Sequence, residues 1–96
     1  METLKAGNYF GSTIKRMTIN GIVLTDKFHS AGENIPTHAH ENTYICTILN
    51  GNWEKKINSK NIACSPLKSI YHQPSEEHAD KFIQGSRVFD IEIDST

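Results

Sequence analysis

The 96-residue sequence has two cysteines, three prolines and one tryptophan, and it has no long apolar run. Two cysteines, Cys46 and Cys64, cannot build the disulfide framework of a small secreted domain, and both sit in apparent strands, where a reduced core thiol is the usual role. The longest mainly apolar stretch, Ile45 to Leu49, is far shorter than the ~20 residues of a membrane helix. Met1 to Ala6 lacks the basic and apolar regions of a signal peptide. An excess of one charge is missing too: 10 Lys and Arg against 11 Asp and Glu give a net charge of -1. No basic surplus exists to hold phosphates unaided. These absences predict a soluble, cytoplasmic chain with no membrane partner and no direct hold on nucleic acid. The length predicts a single domain over 1–96.

What is present leans toward β-structure. Ile and Val number 14 against 4 Leu, and β-branched side chains suit a pleated surface better than a helix. No window keeps a 3.6-residue apolar stripe, while several short runs alternate with period two. Thr13 to Ile19 and Ile22 to Phe28 flank Asn20-Gly21, a hairpin signal because both turn residues tolerate positive φ. Further strands are expected at Thr37 to His40, Thr43 to Leu49, Trp53 to Ile57, Ile62 to Cys64, Ser69 to His72, His78 to Ile83 and Val88 to Ile93. Asn50-Gly51, Asn58 to Asn61 and Gln84 to Ser86 supply turns between them. Eight or nine short antiparallel strands at this spacing indicate an all-β sandwich or barrel.

The strand from Tyr44 is apolar on both faces, with Tyr44, Cys46 and Ile48 on one parity and Ile45 and Leu49 on the other. A strand apolar on both sides must be covered twice, which predicts a second layer or a homodimer.

Five histidines are present. His38 and His40 stand two apart in a strand and so point to one side of the sheet, and Tyr44 shares their parity if pairing is unbroken. His78, opening a later strand, can complete a three-imidazole site for zinc, iron, manganese, nickel or copper. A bare His-x-His equally fits solvated or hydrogen-bonded histidines. His72 is expected at a hydrogen-bonded rim, and His29 in a loop without a role. Trp53 is expected in packing or at a dimer contact. Lys55 and Lys56 read as a solvated hairpin guarding an edge, and Glu76 and Glu77 as a solvated acidic turn. No nucleophile with an adjacent base and no phosphate-binding glycine loop is present, so no catalytic residue is assigned.

The spacing of Gly32, His38, His40, Tyr44 and Gly51 resembles the first cupin motif, and Tyr71 to His78, a proline-bearing loop leading to a histidine, resembles the second. Cupins are jelly-roll β-barrels whose motif histidines point inward. Within that superfamily, Pro36 to Gly51, Pro66 to Phe82 and the opening Gly7 to Gly11 look like the N-terminal sensing domain of AraC-type transcriptional regulators. The run His72 to Phe82 is the most specific part, with Gln73 and Ser75 in place of a proline and a glycine. Tyr44 stands where metal-binding cupins carry a glutamate, and Phe82 near the motif's final asparagine.

The resemblance implies a divalent transition metal (zinc, iron, manganese or nickel) at His38, His40 and His78. The ligand pocket it implies would include Tyr44, Cys46, His72 and Phe82. It implies a sensor that binds a small-molecule effector in the barrel and reaches DNA only through a C-terminal helix-turn-helix domain outside these 96 residues. Two alternatives stand beside it. One is a metal-dependent cupin enzyme of dioxygenase or isomerase type using the same three histidines. The other is a filled barrel in which the histidines are hydrogen-bonded core residues.

Overall fold

The structure, a computed structural model, describes residues 1–94. It contains ten strands: β1 (Glu2–Leu4), β2 (Ser12–Ile19), β3 (Ile22–His29), β4 (Asn34–His40), β5 (Tyr44–Asn50), β6 (Trp53–Ile57), β7 (Lys60–Cys64), β8 (Ser69–His72), β9 (His78–Phe82) and β10 (Ser86–Ile93). One five-stranded sheet runs β1-β4-β9-β6-β7 and the other β2-β3-β10-β5-β8. The all-β reading holds, and the arrangement is consistent with a jelly roll. Every pairing is antiparallel except β1 with β4, which is parallel. The short β1 carries no turn signal and no alternating run, so the sequence gives no sign of it. Among the described residues no helix is long and apolar enough to cross a membrane.

Local chemistry places the turns. Asn20 and Gly21 both take positive φ, 47° and 79°, the backbone of a two-residue hairpin whose twist matches its strands. Asn58 and Ser59 do the same, at 47° and 71°. That hairpin is therefore tighter than the four-residue turn expected at Asn58 to Asn61, and Lys60 and Asn61 belong to β7. Gly51 sits at φ 108°, and a Cβ there would lie 2.6 Å from Cα of Ser86.

Alternation then fills the space between the sheets. Tyr44, Cys46 and Ile48 of β5 point inward with Val88, Asp90 and Glu92 of β10, against Trp53 and Lys55 of β6 and His78, Asp80 and Phe82 of β9. The interior has an apolar end around Trp53, Phe82, Ile48 and Val88. The other end holds His38, His40, His72 and His78, because His38 is paired with His78 while Trp53 is paired with Phe82 at the far end of β9.

Two expectations fail here for one reason. Lys55 is 3% exposed, since it shares the inward parity of Trp53 two residues earlier. Its ammonium lies 3.0 Å from Asp80 Oδ1, and β6 is not an edge strand, because β7 covers it. His29 is the last residue of β3 rather than part of a loop. It is buried, stacked on Phe82 at 4.1 Å and paired with Glu33 through Nδ1.

Candidate metal centre

All five histidines are buried, and three converge. One nitrogen from each of His38, His40 and His78 lies within 4.8 Å of the others. β4 supplies His38 and His40 on one face, as period-two geometry demands, and β9 brings His78 opposite His38. A register shift between Ile35 and His38 resets β4 so that Ile35 and the two histidines all face inward despite the odd spacing.

Hydrogen bonds orient two of these rings. His38 Nδ1 donates to the Pro36 carbonyl at 2.8 Å, and His78 Nδ1 donates to the Glu76 carbonyl at 3.2 Å. Each ring is thus tied to the backbone two residues upstream. A neutral imidazole that donates through Nδ1 presents a lone pair at Nε2, the arrangement by which proteins hold metal-ligating histidines. His78 Nε2 accepts a bond from the Tyr44 hydroxyl at 3.0 Å. His40 Nδ1 is buried with no hydrogen-bond partner among the described residues, and so is Nε2 of His72 behind the site.

Charge states favour the same chemistry. Burial, reinforced by repulsion from His78 and His38, pushes the His40 pKa down to about 2. Burial, together with the Lys55 ammonium and His38, pushes His78 down to about 3. Burial lowers His38 as well. All three imidazoles are therefore neutral at pH 7, the state that binds a cation. The donor set of three neutral nitrogens fits zinc, iron, manganese or nickel.

Around the histidines lies a cavity of about 20 Å³, lined in part by Tyr9, Phe10, Lys27, Tyr44, Cys46 and Phe82. That admits roughly one water molecule or one ion. Tyr44, Cys46 and Phe82 thus border the space with the three histidines. His72 stands behind it: its ring stacks on Tyr44 at 4.4 Å, and its Nδ1 bonds Glu76 Oε1 at 3.1 Å. Glu76 therefore departs from the solvated-turn reading, whereas Glu77 is exposed. The Cys46 thiol is driven upward by burial, then by Asp90, and is no nucleophile at neutral pH. Tyr44 is held protonated by burial, then by Asp90.

Several wall residues escape motif reasoning. Lys27 meets Asp90 at 2.7 Å and lies 4.2 Å from the centre of the Tyr9 ring. Asp80 binds both Lys55 and the indole nitrogen of Trp53. Tyr9 packs on His40 at 4.7 Å and donates to Glu92, and Phe10 packs on His38 at 4.8 Å. Parity within the alternating strands identifies Lys27 and Lys55 as inward. Nothing local identifies Tyr9 and Phe10, which come from the loop before β2.

No protein-family model and no curated protein matches the chain. Solved structures do. A cupin protein from Bacteroides fragilis superposes with a TM-score of 0.74 at 16% identity, over 92% of this chain and 80% of that one. KdgF from Halomonas sp. gives 0.76 at 16% identity, over 85% and 77%. The DMSP lyase DddQ from Ruegeria pomeroyi gives 0.73 at 18% identity, over 80% and 40%. At these identities the likeness is one of fold: the chain has the cupin fold, on which a lyase is also built.

Proposed function

We propose that the chain is the sensing cupin module of an AraC-type regulator, and that the species it reads in the barrel is a divalent transition-metal ion held by His38, His40 and His78. The observation that carries the site is the convergence of one nitrogen from each of these histidines to within 4.8 Å of the others, with His38 and His78 tied through Nδ1 to the Pro36 and Glu76 carbonyls so that Nε2 is left to bind. The regulator reading is supported by where the resembling string falls. His72 to Phe82 forms one wall of the interior, contributing Glu76 to orient His72, His78 to the centre, Asp80 to hold Lys55, and Phe82 to close the apolar end.

Cavity size narrows the effector. Pockets for organic ligands run to roughly 300–1,000 Å³, and this one is about 20 Å³. An ion with one water-sized co-ligand fits; a sugar or aromatic acid does not.

A bound divalent ion would supply Lewis acidity at its open positions. The chain's own residues do the rest. The Pro36 and Glu76 carbonyls hold the rings, burial keeps them unprotonated, and Tyr9 with Phe10 covers them against solvent. Tyr44 keeps its proton and presents a neutral donor where a carboxylate would add charge.

A second reading, a small metal-dependent enzyme, draws on the protonated Tyr44 hydroxyl bordering the same cavity. The deciding experiment is elemental analysis of tag-free protein purified without chelators, with the His38→Ala/His40→Ala variant beside it. About one metal per chain, lost in the variant, upholds the site, and an absence of metal with no uptake on titration overturns it. A metal-dependent change in self-association or partner contact upholds sensing. Turnover of a small substrate without any such change favours the enzyme.

A further inference from the structure

A fourth histidine stands beside the centre with one ring nitrogen unused. His72, the last residue of β8, is 1% exposed. Its Nδ1 lies 3.1 Å from Glu76 Oε1. An ionised carboxylate only accepts, so Nδ1 carries the hydrogen and Nε2 the lone pair. That Nε2 is buried with no hydrogen-bond partner among the described residues, and a buried acceptor left unpaired is costly.

The setting is that of a ligand. A carboxylate on Nδ1 is how proteins orient a histidine whose Nε2 binds a metal. The centre of the His72 ring is 4.6 Å from that of His78, nearer than the His40 ring at 5.5 Å. The backbone is held as well, since Thr43 Oγ1 donates to the His72 carbonyl at 2.8 Å and β8 pairs His72 with Tyr44.

We propose that His72 is the fourth protein ligand of the ion, with Glu76 as the carboxylate that orients it. The inference rests on the metal site of His38, His40 and His78. Those three nitrogens converge without His72, because Tyr44 engages both neighbours: its hydroxyl bonds His78 Nε2, and its ring lies 4.4 Å from that of His72 and 11° from parallel. An ion taking His78 Nε2 displaces that hydroxyl. Tyr44 is then free to shift, and His72 to close on the ion.

Two consequences follow for the sensor. His38, His40 and His78 all belong to the β1-β4-β9-β6-β7 sheet, whereas β8 is an edge strand of the other, paired with β5. A bond from His72 makes the ion a clip between the sheets, so that occupancy acts on β8. Four imidazoles also complete a tetrahedron and leave zinc no open position, as in structural rather than catalytic sites. Sensing is thereby favoured over turnover.

Imidazole nitrogen NMR on the zinc-loaded full chain tests the assignment ring by ring. The Nε2 signal of His72 should shift on zinc binding together with that of His78, and an unmoved His72 signal overturns the proposal. By calorimetry, His72→Phe, which keeps a ring on Tyr44, should weaken zinc binding by about a hundredfold, and Glu76→Gln by about tenfold. His29→Phe removes a buried histidine that is likewise paired with a carboxylate, Glu33, but is stacked on Phe82 at the apolar end, and it should bind zinc as wild type does. An equal loss in His29→Phe and His72→Phe overturns the proposal, because the variants then act through the fold. Hydrogen exchange should show zinc protecting β8 in wild type and not in His72→Phe. Undiminished zinc binding by His72→Phe overturns the fourth ligand and leaves the three-histidine centre standing, whereas wild type that takes up no zinc overturns the centre itself.

Discussion

Tyr44 on β5 donates its hydroxyl hydrogen to Nε2 of His78 on β9, 3.0 Å away, so one hydrogen bond joins the two sheets at the histidine end of the interior. The same nitrogen is the one a metal would take. Tyr44 and a cation therefore compete for His78. Tyr44→Phe is expected to lower stability by about 1 kcal/mol, the usual net value of one hydrogen bond. It should tighten metal binding several-fold, because the lone pair is free beforehand. Urea unfolding and calorimetric titration with zinc or nickel measure the two effects, and weaker metal binding in the variant would make Tyr44 a ligand instead.

The buried pair Lys55–Asp80 should be fragile to single substitution. Both side chains are nearly inaccessible, 4% and 6%, and Asp80 also accepts from Trp53. Burial by itself would raise the Asp80 carboxyl, but the Lys55 ammonium outweighs it and holds the group below its usual range. Asp80→Asn leaves an ammonium without a counter-charge, and the expected loss is about 3–5 kcal/mol. Lys55→Met with Asp80→Leu should recover most of it. Denaturant midpoints of the two variants check this, and additive losses in the double variant would refute it.

Stability should fall with acid over a defined window. His40 and His78, with an ordinary value of 6.5, are depressed to about 2 and about 3 in the folded state. Above pH 6.5 neither state holds these protons. Below it the unfolded chain takes them up and the folded chain does not, so stability is lost as pH falls from 6.5 toward about 3. The slope is at most about 1.4 kcal/mol per pH unit for each histidine. Urea midpoints should stay level from pH 7.5 to about 6.5 and drop steadily from there to pH 5, and a flat profile throughout would show that the rings are protonated in the folded protein.

Gly51 joins β5 to β6 in a conformation closed to other residues, with Ser86 against it. Gly51→Ala is expected to cost about 1–3 kcal/mol through positive φ and forced displacement of β10. Thermal melts read this directly. Gly32 also has positive φ, but nothing lies near its added Cβ, so Gly32→Ala should cost less.

Much of this molecule is legible in its sequence because the signals are local. Asn20-Gly21 announces a hairpin, whereas Asn50-Gly51 proves to carry the chain from one sheet to the other; alternation marks the strands, and the two-residue interval puts His38 and His40 on one side. The two-faced character of the strand from Tyr44 is legible as well, although Ile45 acquires meaning only when register aligns it with Ile91 and Tyr71. Lys55 is the instructive failure. Residue type suggests solvent, but β6 lies between two strands and faces Asp80, and a charge enters an interior when its counter-charge is waiting there.

By itself the sequence determined which segments are strands, where they turn, and which side chains share a face, since φ preferences and the period of two act over a few residues. Only the tertiary structure decided that His78 meets His38, that Tyr9 and Phe10 cover the site, that the remaining space is ion-sized, and that every histidine is buried neutral. Each of these depends on contacts between residues far apart in the chain, and on water excluded when the two sheets close.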